Sequence, residues 1–129
     1  MLEHITLPDH LLPPPAPYSH AVRAGDFLFM TGQLAADPIT GEVSRGSLTE
    51  QTQRVMENLR LVLNHAGVGF EHVVMARLFL TDFRDYQTVN AVFSSYFQEG
   101  RRPSRTTVGV IGLAGQGDVE IDFIVYCGA

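Results

Sequence analysis

One segment near the C-terminus decides the fold: Val119-Glu120-Ile121-Asp122-Phe123-Ile124-Val125. Apolar residues occupy every second position, and the first two positions between them are acidic. Because successive side chains of a strand point to opposite faces of a sheet, this pattern predicts a strand with one buried face. Glu120 and Asp122 would lie on the opposite face, where strands seldom carry charge without a reason.

A second β-patterned segment, 106–111, begins directly after Arg105. Its alternation places Arg105 and Thr107 on one face and its valines on the other. If both segments bury their apolar faces in one core, Arg105, Thr107 and Glu120 project from the same side of the sheet. A guanidinium, a hydroxyl and a carboxylate on one face are suited to holding and hydrolysing a small anionic molecule.

The chain length predicts a single domain. With 129 residues, 45% of them hydrophobic and 18% charged, the chain has an ordinary globular composition and enough apolar residues for one core. The domain is expected to span residues 1–129, and the proline-rich stretch 1–17 is expected to be an extended arm leading into the first strand.

Charge and hydropathy exclude several kinds of partner. A formal net charge of −5 argues against a general affinity for nucleic acid or anionic lipid, which requires a basic face. Arg101, Arg102 and Arg105 form a short basic cluster, but no aromatic stacking motif is interleaved with them. No apolar run approaches membrane-span length, and the early prolines interrupt any signal-peptide helix. We therefore expect a cytoplasmic protein.

Turn and capping signals predict the element order β-β-α-β-α-β-β. Ser47 and Glu50 form a capping box for a helix that ends at Gly67, and Thr81 or Asp85 caps a second helix running to Gly100. The other predicted strands are 18–24, 27–34 and 73–80. This order predicts an α+β fold with a mixed, largely antiparallel sheet and both helices on one face. The second sheet face, also rich in apolar or small residues, is expected to pack against another subunit.

The sequence lacks the motifs of several other common functional sites. The five histidines have neither metal-ligand spacing nor cysteine partners, so no metal site is predicted. The glycine-rich stretch 109–117 matches no phosphate-binding motif, and no G-x-S-x-G nucleophile motif occurs. Cys127 is the single cysteine and is interpreted as a packed terminal thiol. By pattern alone, Arg105 and Glu120 also fit an ordinary ion pair or two solvated charges.

Seven short motifs are distributed in order along nearly the whole chain. The motifs are Ala16-Pro17-Tyr18-Ser19, Thr31-Gly32-Gln33, Asp37-Pro38-Ile39-Thr40-Gly41-Glu42, Asn58-Leu59 followed by Ala66-Gly67, Val89-Asn90-Ala91, Arg102-Pro103-Ser104-Arg105-Thr106-Thr107-Val108, and Val119-Glu120-Ile121-Asp122. Their order and spacing resemble the Rid (YjgF-type) reactive-intermediate deaminases. The resemblance implies a chorismate-mutase-like fold, a homotrimer, and clefts between neighbouring subunits, in which the two closing strands need not be direct neighbours.

The resemblance also implies an activity. Members of this family typically hydrolyse 2-imino acids such as 2-iminopropanoate and 2-iminobutanoate, and their enamine tautomers, to 2-oxo acids and ammonia without a cofactor. Arg105 would hold the substrate carboxylate, and Glu120 would activate the attacking water. The positions expected to line or support the cleft are Tyr18, Thr31, Gly32, Asn90 and Thr107.

Two of these positions differ from the best-known deaminases, which usually have serine at position 31 and cysteine at position 107. Thr31 keeps the hydroxyl and adds a methyl group, whereas Thr107 replaces a thiol with a branched alcohol. Both changes bear on substrate preference more than on reaction class. Two other functions stay open: a non-catalytic trimer that binds a small carboxylate, and a hydrolase of another C–N bond, of the aminoacrylate or aminomuconate type.

Overall fold

The computed structural model describes residues 1–128 and contains six strands and two α-helices. The strands are β1 (Leu2–Ile5), β2 (Ala21–Ala24), β3 (Phe27–Met30), β4 (Val73–Leu80), β5 (Ser104–Gly109) and β6 (Val119–Tyr126), and the helices are α1 (Leu48–His65) and α2 (Tyr86–Ser94). The six strands form one sheet in the order β1-β2-β3-β6-β4-β5. Only the β4–β5 pair is parallel. The predicted mixed, largely antiparallel α+β fold is confirmed.

The core lies between one face of the sheet and the two helices. The alternating residues of β6 supply its centre, since Val119, Ile121, Phe123 and Val125 are all buried. Helix α1 covers this face with a fully buried stripe of Val55, Met56, Leu59, Val62 and Leu63. We call this side of the sheet the helix face and the opposite side the open face.

Helix α1 begins and ends close to the positions that the capping signals predict. The Ser47 hydroxyl accepts a hydrogen bond from the Glu50 amide and donates one to the Glu50 carboxylate, 3.1 Å away. Gly67 follows the helix with a φ of 77°, a left-handed conformation that glycine adopts without strain. No helix within residues 1–128 combines the length and apolar character needed to cross a membrane.

The N-terminal arm was predicted to be an extended lead-in to the first strand, but its first residues form a strand themselves. Leu2–Ile5 forms an edge strand that pairs antiparallel with β2, in the register Leu2↔Ala24 to Ile5↔Ala21. The prolines begin only at Pro8, so the first residues keep the amide groups that a sheet ladder requires. The pairing partner lies sixteen or more residues away along the chain, and local sequence patterns carry no signal for it.

The second helix is shorter than predicted. A 3₁₀ turn at Phe83–Asp85 precedes α2, and the helix ends at Ser94 instead of continuing to Gly100. Beyond it, the amides of Tyr96 and Phe97 bond to carbonyls three residues back, which is the pattern of successive turns. This tighter path carries the Phe97 ring into the core beside Phe123.

The open face of the sheet is apolar and exposed in the single chain. Phe27, Phe29, Val108 and Tyr126 are 39% to 47% exposed, and all four belong to strands of this sheet. An exposed patch of large apolar side chains on a sheet marks a surface that packs against another protein. This exposure fits the predicted contact with another subunit.

Candidate functional site

Glu120 lies on the open face, where the chain after β3 continues alongside β6. It pairs across the sheet with Phe79 of β4, and Gln33 forms a bridge with the next residue, Ile121. Gly32 therefore lies directly against the Glu120 carboxylate, and a β-carbon at position 32 would collide with it. Because Gly32 has no side chain, the Glu120 carboxylate packs directly against its backbone.

Tyr18 and Thr31 complete this group. The Thr31 hydroxyl donates a hydrogen bond of 2.6 Å to the Ser19 carbonyl, and the Thr31 amide bonds to the His20 carbonyl. These bonds tie the end of β3 to the segment that carries Tyr18. Burial and the nearby Glu120 carboxylate both raise the pKa of the Tyr18 phenol. We call Tyr18, Thr31, Gly32 and Glu120 the Glu120 half-site.

The surroundings of Glu120 favour its protonated form. Partial burial is the main cause that raises the pKa of this carboxyl, and the negative charge of Asp122 adds to it. Arg77 acts in the opposite direction, but its guanidinium is engaged by Asp122 through two hydrogen bonds of 3.0 and 2.6 Å. A carboxylate with a raised pKa is a stronger base than an ordinary glutamate, which suits proton transfer near neutral pH.

Arg105 lies on the helix face at the edge of the sheet. It pairs with the buried Ala76 of β4, and its guanidinium donates a hydrogen bond of 2.9 Å to the Tyr86 hydroxyl. The guanidinium carbon also lies 5.4 Å from the centroid of the Tyr86 ring and 5.2 Å from that of Phe93. Among residues 1–128, no carboxylate is within salt-bridge distance of Arg105. Two aromatic rings thus hold a cation that is available to an anion.

Two buried polar atoms accompany Arg105. Asn90 lies four residues after Tyr86 and three before Phe93 on α2, so all three share one face of the helix. Thr107 lies two residues after Arg105 on the same face of β5. Within the described chain, the Asn90 Oδ1 and Thr107 Oγ1 atoms are buried without a hydrogen-bond partner. Such atoms are uncommon and suit a polar ligand. We call Asn90, Arg105 and Thr107 the Arg105 half-site.

The expectation that Arg105, Thr107 and Glu120 share one side of the sheet is wrong. Arg105 and Thr107 pair with Ala76 and Leu78, which face the helices, whereas Glu120 belongs to the open face. The valines of β5 were expected to be buried, but Val108 is on the open face and 40% exposed. Each face of this edge strand carries a threonine and none of its residues is fully buried, so its own pattern did not distinguish the two faces. In one chain the two half-sites lie on opposite faces.

Four supporting residues had no assigned role in the sequence analysis. Tyr86 and Phe93 position Arg105, and their seven-residue spacing on a helix is the signal that could have paired them. Arg77 and Asp122 tune Glu120, and their pairing depends on the β4–β6 register. No group of three His, Cys, Asp or Glu side chains within residues 1–128 is arranged to hold a metal ion.

Known proteins are similar to this chain over nearly its whole length. The family described as Endoribonuclease L-PSP matches residues 9–127. A RutC family protein of Pyrococcus abyssi is 40% identical over 113 residues, or 88% of each chain. A 2-iminobutanoate/2-iminopropanoate deaminase of Bos taurus is 37% identical over 112 residues, which are 87% of this chain and 81% of that protein.

A solved structure supports the fold independently. RidA from an Antarctic Psychrobacter bacterium superposes with a TM-score of 0.88 at 33% identity, and the match covers 96% of this chain and 99% of that one. The resemblance drawn from the short motifs is thereby confirmed. The chain belongs to the Endoribonuclease L-PSP family, which is also known as the YjgF/RutC/Rid family.

Proposed function

We propose that this protein is a cofactor-independent deaminase that hydrolyses 2-imino acids and their enamine tautomers to 2-oxo acids and ammonia. The observation that carries the proposal is that the chain holds two groups whose surroundings suit them to this reaction. Arg105 is a guanidinium held by aromatic rings and available to a carboxylate, and Glu120 is a carboxylate whose pKa is raised. The 37% identity to the bovine deaminase supports the same reaction class.

The two half-sites require a second copy of the chain to meet. Arg105 lies on β5, an edge strand with one unpaired side, whereas Glu120 lies on the apolar open face. A neighbouring copy whose β5 edge lies against that face would bring its Arg105 beside Glu120. Repeating this head-to-tail contact around a three-fold axis closes a homotrimer with one cleft at each interface.

The reaction follows from the chemistry of the two groups. Arg105 binds the substrate carboxylate through its planar fork of donors, and the orphaned Asn90 and Thr107 oxygens offer further hydrogen bonds. The substrate reacts as its protonated iminium form, and Glu120 accepts a proton from water as the water oxygen adds to the C=N carbon. Glu120 then returns this proton to the amino group of the neutral tetrahedral intermediate. As the C–N bond breaks and ammonia leaves, the ionised Glu120 takes the hydroxyl proton so that the C=O bond forms, and this proton finally passes to ammonia to give ammonium.

A coupled assay tests this activity. A pyridoxal-phosphate dehydratase acting on serine or threonine generates 2-iminopropanoate or 2-iminobutanoate, and the release of 2-oxo acid is followed with and without this protein. We expect wild type to accelerate release. Glu120→Gln should lower kcat by about 10²–10⁴-fold, the usual contribution of a general base. Arg105→Ala should mainly raise KM, because it removes the contact with the carboxylate.

Matched controls and negative outcomes define the test. Glu99→Gln and Arg101→Ala change exposed charges near β5 and should leave turnover unchanged. If wild type accelerates neither imine, the deaminase proposal fails. Tight binding of pyruvate that depends on Arg105, without imine turnover, would instead support a carboxylate-binding trimer. Turnover limited to aminoacrylate or aminomuconate derivatives would support hydrolysis of another C–N bond.

The name of the family raises RNA cleavage as another activity. The chain carries a net charge of −5, and the exposed part of its Glu120 half-site is acidic and aromatic. A protein that grips a polyanion neutralises several phosphates with basic side chains, which this surface does not supply. The charge pattern therefore favours a small substrate with a single carboxylate.

A further inference from the structure

A partly open and mainly apolar cavity of about 180 Å³ adjoins the Glu120 half-site. The proline arm forms one wall with Leu12 and Pro13, and the chain after β3 forms another with Leu34. Val43 and Ala114 close the remaining side. No carboxylate, lysine or arginine lines it, so the cavity suits an uncharged apolar group.

The cavity opens where the chemistry is proposed to occur. Tyr18 and Gly32 belong to its lining, and the same two residues surround Glu120. A substrate whose C=N carbon lies beside the Glu120 carboxylate therefore has the mouth of this cavity within reach of its side chain. Gly32 has no side chain to separate the two, and the Glu120 carboxylate itself lies over this glycine.

Tertiary contacts fix the walls of the cavity. The buried His20 ring accepts a hydrogen bond from the Leu7 amide at Nδ1, and its Nε2 lies 2.5 Å from the Leu12 carbonyl oxygen. The Leu12 amide in turn donates to the Pro38 carbonyl at 2.7 Å. On the far side, Gly115 packs so closely on Val43 that a β-carbon there would lie 2.6 Å from a valine methyl. The walls of the cavity are therefore held in place by hydrogen bonds and close packing.

We propose that this cavity binds the side chain of the substrate and makes the protein selective for 2-imino acids with branched aliphatic or aromatic side chains. This inference rests on the proposed deaminase function. A protein cavity of about 150 Å³ accommodates a six-carbon ring, so the present one has room for the side chain of leucine or phenylalanine. Dehydratases cannot make these imines from serine or threonine, so the supplying reaction is oxidation of the corresponding 2-amino acid by an oxidase that passes the two electrons and two protons to dioxygen, forming hydrogen peroxide.

The experiment compares imines of different size. An amino acid oxidase generates the imines of alanine, leucine and phenylalanine, and kcat/KM for 2-oxo acid release is corrected for spontaneous hydrolysis. We expect the leucine-derived imine to be preferred over the alanine-derived one by about 10-fold or more, since each buried methylene contributes roughly that discrimination. Equal values, or a preference for the small imine, would overturn the proposal.

Two variants alter the cavity in opposite directions. Ala114→Leu fills it and should lower kcat/KM for the leucine-derived imine by about 10-fold or more while leaving the alanine-derived imine within about twofold. Leu34→Ala enlarges it and should shift preference toward the phenylalanine-derived imine. Ala91→Leu, on the exposed surface of α2, adds the same bulk outside the cavity and should change neither value. A parallel loss for both imines in Ala114→Leu would contradict the inference.

A binding measurement separates failure of this inference from failure of the deaminase function. Calorimetry compares the affinities of 4-methyl-2-oxopentanoate and pyruvate for wild type and Ala114→Leu. If no imine is hydrolysed faster but the larger oxo acid binds more tightly and loses that advantage in Ala114→Leu, the cavity assignment holds and the catalytic proposal falls. If imines are hydrolysed but both oxo acids bind equally, the cavity does not select the side chain.

Discussion

At the scale of single residues, the chemistry depends on how Glu120 and Arg105 are surrounded. Burial raises the pKa of Glu120, and the Asp122 charge on the same face of β6 raises it further. Arg105 owes its orientation to Tyr86 and Phe93 of α2. Neighbours in sequence do not set these surroundings by themselves, because Arg77 of β4 acts on Glu120, and Tyr86 and Phe93 of α2 act on Arg105.

Asp122→Asn should shift the pH profile of kcat/KM. A general base must be ionised, so the rate falls as pH drops through the pKa of Glu120. Removing the Asp122 charge takes away one cause of the raised pKa and frees Arg77 to stabilise the ionised form. The acidic limb is therefore expected to move to lower pH. Initial rates measured across the acidic pH range check the shift.

Glu57→Gln serves as the matched control for this shift. It also removes a carboxylate paired with an arginine, Arg60, but on α1, away from Glu120, where a glutamine can still accept the hydrogen bond from the Tyr96 hydroxyl. Its acidic limb should coincide with that of wild type. A limb that stays in place in Asp122→Asn, or moves to higher pH, would refute the assignment of Glu120 as the base.

At the scale of elements, the N-terminal arm depends on one buried histidine. His20 connects β2 to the arm through the Leu7 amide and the Leu12 carbonyl. Since Nδ1 accepts the Leu7 hydrogen bond, Nε2 carries the proton and donates to Leu12. The arm is otherwise held by the pairing of β1, by the hydrogen bond from the Leu12 amide to the Pro38 carbonyl, and by apolar contacts of Leu7 and Leu12. It also forms a wall of the cavity beside Glu120.

His20→Ala is expected to lower the free energy of unfolding by about 2–4 kcal/mol, because it leaves two buried backbone groups unpaired and removes a packed ring. His20→Gln keeps one donor and one acceptor and should lose less. Urea unfolding at a fixed protein concentration measures both values. Hydrogen exchange at the Leu7 amide should be faster in His20→Ala. Identical stability in all three proteins would show that the histidine does not hold the arm.

At the scale of the whole molecule, the separation of the half-sites makes assembly a condition for activity. The open face exposes Phe27, Phe29 and Tyr126, and the edge strand β5 carries Arg105. A trimer that covers this face would have a mass of three times 14.2 kDa, or about 43 kDa. Burial of the patch and completion of the cleft would then occur in a single step.

Mixing two impaired variants tests the shared cleft, with turnover measured at substrate concentrations well below KM, where Arg105→Ala is also slow. If Arg105 and Glu120 come from different subunits, trimers re-formed from equal amounts of Arg105→Ala and Glu120→Gln contain some clefts with both native residues. Random mixing makes about one quarter of the clefts native, so about one quarter of wild-type activity should return. Turnover before and after joint unfolding and refolding measures the recovery.

Sedimentation of the refolded mixture provides the control for this experiment. It must show mixed assemblies, for example through a tag carried by one variant. Mixed trimers without recovered activity would mean that each cleft takes both residues from one chain. A monomeric wild type with full activity would contradict the shared cleft as well.

The sequence by itself determined the local elements and the identity of the functional groups. Capping at Ser47 and the left-handed Gly67 delimit α1, and the alternation of β6 selects its buried face. These features depend on residues a few positions apart, whose spacing fixes which side chains share a face. The ordered motifs likewise identified the family.

Only the tertiary structure decided which face β5 turns to the helices and that the N-terminal arm adds a strand to the sheet. The strand β5 has residues suited to burial on both sides, so its orientation depends on its parallel register with β4. The edge strand β1 exists because Leu2–Ile5 meets β2 far along the chain. Such pairings are non-local, and a shift of one residue reverses every side chain. For this reason the sequence placed Arg105 and Glu120 together, whereas the fold places them on opposite faces.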